Sequence, residues 1–233
     1  MSAPVLSIVI PTLDAAGDLG RCLGAVSSAA TSEKRVKLEV IVADGGSRDG
    51  TVDAAQALGA KVISSPLGRG IQLAAGARAA GGNWLLFLHA DTILDPDWMR
   101  AVADFMGATE NACHGAYFRF ALDDEGAAAR RLERLVAWRC RLLALPYGDQ
   151  GLLLSRDFYE ELGGFPPLPL MEDVALVRRI GRCRLSALDV RAVTSAACYR
   201  RGGYLRRPLR NLGCLALYFM NCPPCLIARL YRS

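Results

Sequence analysis

The sequence lacks the segments that mark exported and membrane-spanning proteins. No basic stretch followed by an apolar core stands at the beginning, so we expect no signal peptide and a cytoplasmic protein. The apolar run at 212–220 is shorter than the about 20 residues that a bilayer-spanning helix needs, and Asn221 and Pro223 interrupt it further. A transmembrane protein is therefore not expected.

Signatures of nucleic-acid and dinucleotide binding are also missing. No basic patch is interleaved with aromatic residues, and no GxGxxG motif follows the first predicted strand. The 28 basic residues exceed the 23 acidic ones only modestly, and much of the excess comes after Arg178. This local excess suits an anionic lipid or a phosphorylated substrate, and we predict no nucleic-acid partner.

The cysteines do not form a recognisable metal or disulfide pattern. Eight cysteines are scattered along the chain, and the CxxC spacing of Cys222 and Cys225 has no second pair or histidine to complete a zinc site. A chain without an export signal keeps its thiols reduced. We therefore predict incidental or structural cysteines.

Composition and hydrophobic pattern predict an α/β fold. A hydrophobic content of 52% in 233 residues allows a sizeable core, and no repeat or linker divides the chain. We assign 1–198 to one domain and 199–233 to a C-terminal helical segment. Apolar runs alternate with helical patterns, which is typical of a parallel sheet; strands are predicted at 5–10, 38–43, 61–64, 84–88, 115–122, 151–154 and 184–190.

Polar residues follow several of these strands, at the sheet edge where α/β proteins bind ligands. The first strand is followed by Pro11, Thr12 and Asp14, and the second by Asp44, Gly45 and Ser47. The strand at 84–88 ends in His89 and Asp91. Two interpretations stay open for each group, because Ser47 or Asp49 could simply cap a helix and His89 could be a core histidine. Asp95 before Pro96 is predicted to cap the next helix, which leaves Asp91 for a ligand.

Two further groups have a functional and a structural interpretation. Glu172 and Asp173 begin a predicted helix after a proline-rich segment, where they could abstract a proton or only complement the helix dipole. Arg69 and Gln72 open another helix and could contact a donor or solvate the helix start. The arginines of a helix predicted at 130–145 are interpreted as a solvated face.

Five motifs occur in an order that resembles family 2 glycosyltransferases. They read IVIPTLD, VADGGSRDGT, GRGIQLAAGARAAGGNWLLFLHADT, GDQGLLLSRDFYEELGGF and MEDVAL. The FLHADT segment is similar to a bacterial subgroup that includes arsenosugar-type transferases. The resemblance implies a GT-A fold with a Rossmann-like, mostly parallel sheet. It also implies an inverting reaction with a nucleotide-diphosphate sugar (a UDP-sugar first of all), an acceptor hydroxyl, and Mg²⁺ or Mn²⁺.

The same resemblance implies roles for individual residues. Asp173 matches the general base, with Glu172 beside it, and Asp91 matches the metal and diphosphate contact. Asp44 matches the acid that contacts the donor base, Pro11 and Thr12 match the wall of that pocket, and His89 stands where most relatives have the first acid of the metal motif. Asp149 and Gln150 match a loop on the acceptor side. From the residues themselves we add further candidate substrate contacts: Asp14, Gly45, Ser47, Arg69 and Gln72. Physical chemistry agrees, because a leaving diphosphate needs a cation and an attacking hydroxyl needs a base.

Some positions depart from the family pattern. Asp14-Ala15 stands where relatives have Asn-Glu, and Ala74 where the subgroup has Asn. Ala196 and Ala197 replace an arginine pair after Thr-Ser, so Arg200 or Arg201 would have to substitute. Two rival functions stay open, a nucleotidyltransferase and a non-catalytic module that binds nucleotide sugars or lipid head groups. The C-terminal arginines and apolar run also suggest a peripheral segment on an anionic membrane at its inner face.

Overall fold

A computed structural model describes residues 3–168 and 170–232. The strands are β1 Val5–Thr12, β2 Lys37–Asp44, β3 Lys61–Ser64, β4 Trp84–Phe87, β5 Thr92–Leu94, β6 Gly115–Leu122, β7 Leu152–Ser155 and β8 Leu185–Thr194. The helices are α1 Ala16–Ser32, α2 Thr51–Ala57, α3 Arg69–Ala79, α4 Trp98–Gly107, α5 Ala127–Leu143, α6 Arg156–Glu161, α7 Glu172–Ile180, α8 Ala197–Gly202, α9 Arg206–Phe219 and α10 Pro224–Arg232.

One eight-stranded sheet has the order β3-β2-β1-β4-β7-β6-β8-β5. The pairings among β3, β2, β1 and β4 are parallel, as is that of β6 with β8. β7 runs antiparallel to both of its neighbours, and β5 runs antiparallel to β8. The predicted α/β class with a mostly parallel sheet flanked by helices is confirmed.

The strand register aligns the polar strand ends. Thr12 pairs with Asp44 at the last position of β1 and β2, and Val9 pairs with Phe87 at the end of β4. His89 and Asp91 therefore emerge next to the segment that follows β1. The sheet thus places the first and fourth strand ends at one edge.

Apolar side chains cover both faces of the sheet, as expected for parallel strands between helices. Ile8 and Leu86 belong to a cluster with α1 and α4, whereas Val9 and Leu85 belong to a cluster with α3 and α7. The second cluster also contains Cys214, Leu215 and Ile227, so α9 and α10 bury part of their apolar surface against the domain. The division at 198 stays a prediction.

The structure corrects the prediction for the segment after Asp91. We expected Asp95 to cap a helix, but its carboxylate accepts a hydrogen bond of 2.8 Å from Nε of Arg191. Residues Thr92–Leu94 form β5, and α4 begins later, at Trp98. The strand predicted at 184–190 continues to Thr194 because β5 and β6 both pair with it.

Two further findings concern membranes and thiols. None of the helices within 3–168 and 170–232 combines the length and apolarity that crossing a membrane requires.

The cysteine side chains that the structure describes are free thiols. The side chains of Cys198 and Cys225 lie outside the described residues, as does Pro169 of the proline-rich segment.

Candidate active site

Two cavities share a wall at the carboxyl edge of the sheet. The larger one, which we call the large cleft, measures about 620 Å³ and is bounded by the end of β1, the start of α3 and the segment before α7. The smaller one, the inner cavity, measures about 160 Å³ and extends toward Asp173, Thr194 and α9. Arg69, His89 and Asp91 line both cavities.

Asp44 organises the loop after β2. Its Oδ1 accepts a hydrogen bond of 2.9 Å from Thr12 Oγ1 and another from Ser47 Oγ, while its Oδ2 accepts 2.9 Å bonds from the amides of Gly46 and Ser47. Burial alone would raise the pKa of Asp44, but these hydrogen bonds outweigh it and lower that pKa. Asp44, Gly45 and Ser47 line neither cavity.

Asp14 couples this loop to the large cleft. It has a left-handed backbone, with φ of 49°, which aspartate tolerates better than most residues. Its amide donates to Ser47 Oγ, and its Oδ1 accepts from the Arg48 amide at 2.8 Å. Pro11, Thr12 and Asp14 line the large cleft, and their contact with a donor stays a prediction.

Two glutamines that were predicted to contact substrate donate hydrogen bonds to backbone carbonyls inside the protein. The Gln72 amide donates to the carbonyls of Thr12 and Ala43, at 2.7 and 2.8 Å. The buried Gln150 side chain donates to the Phe118 carbonyl and accepts from Arg139 at 3.1 Å. Gln72 still forms part of the large cleft, whereas Gln150 lines neither cavity.

Asp91 and His89 stand at the shared wall. Burial raises the pKa of Asp91, helped by the charge of Asp18 and opposed by the nearby Arg69 and Arg207 guanidinium groups. Burial and the charge of Arg69 lower the pKa of His89 to about 3, so its imidazole is neutral at physiological pH. His89 Nε2 is buried without a hydrogen-bond partner among the described residues.

Two adjacent acids at the start of α7 have different surroundings. Oδ2 of Asp173 accepts a hydrogen bond of 2.8 Å from the Gly148 amide, and this side chain lines the inner cavity. Glu172 is only 1% exposed, and its nearest counter-charge is Nε of Arg69 at 3.7 Å. Burial and the charge of Asp173 raise the pKa of Glu172 to about 7. Asp173 lines the inner cavity, whereas Glu172 is buried and does not line it.

The backbone around these acids is held under constraint. Met171, just before α7, has φ of 66°, a conformation that is strained for a side chain of this size. A Cβ added to Gly148 would lie 2.6 Å from Nε2 of His89. Only glycine therefore lets the 148–150 turn approach both His89 and Asp173.

A third, very small cavity lies behind the site. It measures about 20 Å³ and is bordered by His89, Glu172 and Asp173 among mainly apolar residues. This volume is close to that of a single water molecule. His89 Nε2 and both carboxylate oxygens of Glu172 have no hydrogen-bond partner in the described structure, so a water here would satisfy polar atoms that are otherwise unpaired.

Asp149 is the second acid of the 148–150 turn. It lines the inner cavity, and its Oδ1 is buried without a partner among the described residues. Burial raises the pKa of Asp149 to about 6, against the opposing charge of Arg139. The inner cavity thus contains three carboxylates, those of Asp91, Asp149 and Asp173.

Sequence reasoning missed the residues that line the inner cavity from the C-terminal helices. Tyr199, Arg207, Asn211 and Tyr231 all contribute to its wall. We expected Arg200 or Arg201 to replace the missing arginine pair. Nη2 of Arg200, however, lies 3.6 Å from Oδ1 of Asp123, and Arg200 does not line the inner cavity. The side chain of Arg201 lies outside the described residues. Arg207 comes from the following helix, and no local signal distinguishes it from its neighbours.

The acidic residues fit a cation that also binds substrate. No group of three or more histidine, cysteine or acidic side chains within 3–168 and 170–232 could enclose a metal. Asp91, however, lies at the wall of both cavities. Mg²⁺ binds commonly through one or two carboxylates, substrate phosphates and water. The predicted role of Asp91 suits such a cation.

Comparison with protein families gives a match over most of the chain. The model for "Glycosyl transferase family 2" matches residues 7–163. A PGL/p-HBAD biosynthesis glycosyltransferase of Mycobacterium tuberculosis (strain ATCC 25177 / H37Ra) is 36% identical over 124 residues, which are 47% of this chain and 44% of the relative. Glycosyltransferase AglE of Haloferax volcanii is 25% identical over 70% of this chain and 56% of its own length. The aligned part is thus about half the length of these relatives.

Solved structures share the fold. Glucosyl-3-phosphoglycerate synthase from Mycobacterium tuberculosis, in complex with Mn²⁺, UDP and glucosyl-3-phosphoglycerate, superposes with a TM-score of 0.63 at 20% identity. The match covers 94% of this chain and 81% of that one. Mannosyl-3-phosphoglycerate synthase from Rubrobacter xylanophilus gives a TM-score of 0.62 at 16% identity, over 94% of this chain and 76% of that one. At these identities the likeness concerns the fold, which is the predicted GT-A fold.

Proposed function

We propose, on the premise that this chain belongs to glycosyl transferase family 2, that it transfers a sugar from a nucleotide-diphosphate sugar to an acceptor hydroxyl with inversion. One observation carries this proposal. Asp91 and Asp173 come from separate parts of the chain, yet both line the inner cavity, and Asp91 also lines the large cleft. A site for a leaving diphosphate therefore adjoins a carboxylate that can act as a base.

We place the donor in the large cleft. The solved structure of glucosyl-3-phosphoglycerate synthase named above contains UDP, which makes a UDP-sugar the first donor to test. Pro11, Thr12 and Asp14 form one wall, and the loop ordered by Asp44 lies behind them. Arg69 lines both cavities and supplies a positive charge where they meet.

A divalent cation would be held by Asp91 together with the oxygens of the donor. When bound, Mg²⁺ or Mn²⁺ supplies positive charge that neutralises the leaving diphosphate. His89 lies beside Asp91, and its neutral imidazole adds no repulsion for a cation. Arg69 and Arg207 provide further positive charge around Asp91.

Asp173 accepts the proton of the attacking hydroxyl in this proposal. Its Oδ2 is oriented by the Gly148 amide, and it faces the cavity in which an acceptor could bind. A positioned general base that takes up the proton during attack typically contributes about 10²–10⁴ in rate.

Release of a nucleoside diphosphate tests the proposal. The protein is mixed with UDP-, GDP- and dTDP-sugars in Mn²⁺, with a panel of hydroxyl acceptors, and the free nucleoside diphosphate is measured. A nucleotidyltransferase would release pyrophosphate or a monophosphate instead, and a non-catalytic module would bind the donor without consuming it. Inversion is assigned from the anomeric configuration of the product, and retention would reject a single displacement.

We further propose that α9 and α10 rest on the inner face of an anionic membrane. Leu209 and Leu212 on α9 are 58% and 60% exposed, and Met220 after its end is 73% exposed. The helix begins with basic residues, Arg206, Arg207 and Arg210. Flotation with phosphatidylserine liposomes at low salt tests this attachment. A protein that stays in the bottom fraction would contradict it.

The arsenosugar-type subgroup also stays a prediction.

A further inference from the structure

Helix α5 is apolar on two opposite faces. Its inner face packs Leu132, Val136 and Cys140 against β6 in a separate hydrophobic cluster. On its other side Leu135, Trp138 and Leu142 recur at helical spacing, and they are 61%, 59% and 44% exposed. A surface helix normally has one apolar stripe and a polar opposite face. The second stripe therefore needs an explanation outside the packing of the domain.

The second apolar stripe contains an exposed tryptophan, Trp138. The chain has three tryptophans, and Trp84 and Trp98 are buried in the core at 7% and 0% exposure. Trp138 stands in solvent between two exposed leucines. Trp is enriched at membrane–water interfaces, where one part of its ring is apolar and the other is wet.

The charges that border this stripe are all positive. Arg131, Arg134 and Arg141 lie on the exposed part of α5. Arg131 and Arg134 line a surface groove together with Leu135 and Trp138. The one acid in the helix, Glu133, is only 15% exposed, and its carboxylate accepts hydrogen bonds from the Leu122 amide and from Arg130. No free negative charge on α5 balances this arginine border.

We propose that the exposed face of α5 docks on an anionic lipid surface. The stripe of Leu135, Trp138 and Leu142 would enter the interface, while the arginines contact anionic head groups. A basic border around a Trp- and Leu-containing stripe is the composition of a helix that lies in the membrane plane. A second copy of the chain fits less well, because two such faces would oppose arginine to arginine without an acid to pair with them.

The position of α5 gives this docking a consequence for the site. The helix ends at Leu143, and the chain then reaches Gly148 and Asp149 in the wall of the inner cavity. Arg139, near the end of α5, stacks on the Tyr147 ring at 3.5 Å and donates to Gln150. The lipid-docking face and the cavity are therefore connected by one short, well-bonded segment. Docking at α5 would hold the site near the membrane, independently of α9 and of the donor.

Tryptophan fluorescence tests this proposal on the full chain. Because Trp84 and Trp98 are buried, Trp138 is the tryptophan whose surroundings would change on docking. Vesicles of phosphatidylcholine with phosphatidylserine should shift the emission to shorter wavelength, and brominated lipids should quench it. The Trp138→Phe variant should lose both signals while it still floats with the vesicles. Pure phosphatidylcholine vesicles should produce much smaller changes.

Matched variants separate this face from the C-terminal helices. Replacing Arg131, Arg134 and Arg141 by Gln should lower the partition coefficient on the order of 10²-fold, since each basic residue near an anionic surface contributes about fivefold. Leu212→Ser on α9 should leave the Trp138 signal in place. Unchanged emission with anionic vesicles at low salt, or equal binding by the triple variant, would overturn the proposal. Concentration-dependent dimerisation that buries Trp138 without lipid would overturn it in favour of a second copy.

Discussion

The amide of Gly148 donates a hydrogen bond of 2.8 Å to Oδ2 of Asp173, across 25 positions of sequence. This bond joins the turn after α5 to the first turn of α7, and it fixes one carboxylate oxygen of a side chain that lines the inner cavity. The other oxygen, Oδ1, accepts from the Val174 amide at 2.7 Å. Asp173 is thereby fixed by the backbone, while Glu172 beside it is buried.

Asp173→Asn should reduce turnover by about 10²–10⁴ without a matching loss of donor affinity, because a general base acts on the acceptor proton. The change keeps the shape of the side chain, but it removes the ability to accept that proton. Initial rates of nucleoside diphosphate release and donor titrations measure the two effects separately. Asp157→Asn, at an exposed position of α6, is the matched control and should behave like the wild type. Near-normal turnover of Asp173→Asn would reject this base.

Glu172→Gln should change how stability depends on pH. Burial, together with the charge of Asp173, raises the pKa of Glu172 from 4.5 to about 7, so the folded state retains a proton that the unfolded chain loses. The contribution of Glu172 to the free energy of unfolding is therefore fully present below about pH 4.5 and declines as the pH rises to about 7. The total decline is up to about 1.4 kcal/mol for each unit by which folding raises the pKa.

The neutral glutamine removes this dependence. Urea unfolding at about pH 5 and about pH 8 should show a smaller loss of unfolding free energy in Glu172→Gln than in the wild type. Glu161→Gln, in an exposed position at the end of α6, is the control. Equal pH dependence in wild type and Glu172→Gln would contradict the raised pKa.

Gly148→Ala should impair turnover more than stability. The added Cβ would lie 2.6 Å from His89 Nε2, so the 148–150 turn must move and take the bond to Asp173 with it. Gly24→Ala is the comparison, because its Cβ meets nothing within 4 Å in the middle of α1. That change should stabilise the protein by up to about 1 kcal/mol through helix propensity. Full activity in Gly148→Ala would show that the close approach is unnecessary.

Arg207→Gln should weaken the binding of a nucleoside diphosphate by about tenfold or more, because hydrogen bonds to charged groups contribute about 1.5–3 kcal/mol. Arg207 lines the inner cavity and lies near enough to Asp91 to influence its pKa. Arg200→Gln is the paired control, since that side chain lies beside Asp123 and Asp124 instead. Calorimetric titrations with UDP compare the two variants. An equal loss in both would remove the distinction between these arginines.

The fold was largely predictable because its signals are local. Apolar runs at β1, β2 and β4 require burial on both faces, and glycine and proline mark their ends. The Asp95 prediction failed for a non-local reason. Capping is one use of an aspartate before proline, but Arg191, distant in sequence, lies close enough to bind the carboxylate. β5 then forms in place of an immediate helix.

The residue types that line the cavities of the candidate site were predictable from the sequence, whereas the contacts they make in the fold were less so. The strand end indicated Asp91, and the helix start indicated Asp173. That Asp173 lines the inner cavity while the adjacent Glu172 is buried follows only from tertiary packing. Gln72 and Gln150 have the chemistry of ligand contacts, yet they donate to backbone carbonyls that only the folded chain brings near. Arg207 and Asn211 reach the inner cavity because α9 packs across it.

We infer that Asp91 binds a cation together with a nucleoside diphosphate at the junction of the two cavities. Calorimetric titration of UDP into the wild type and into Asp91→Asn, each with and without Mn²⁺, tests it most directly, with Asp97→Asn on exposed surface as the control. We expect Mn²⁺-dependent UDP binding by the wild type and by Asp97→Asn, and loss of that dependence in Asp91→Asn with unfolding unchanged. Equal Mn²⁺-dependent binding by Asp91→Asn would contradict it.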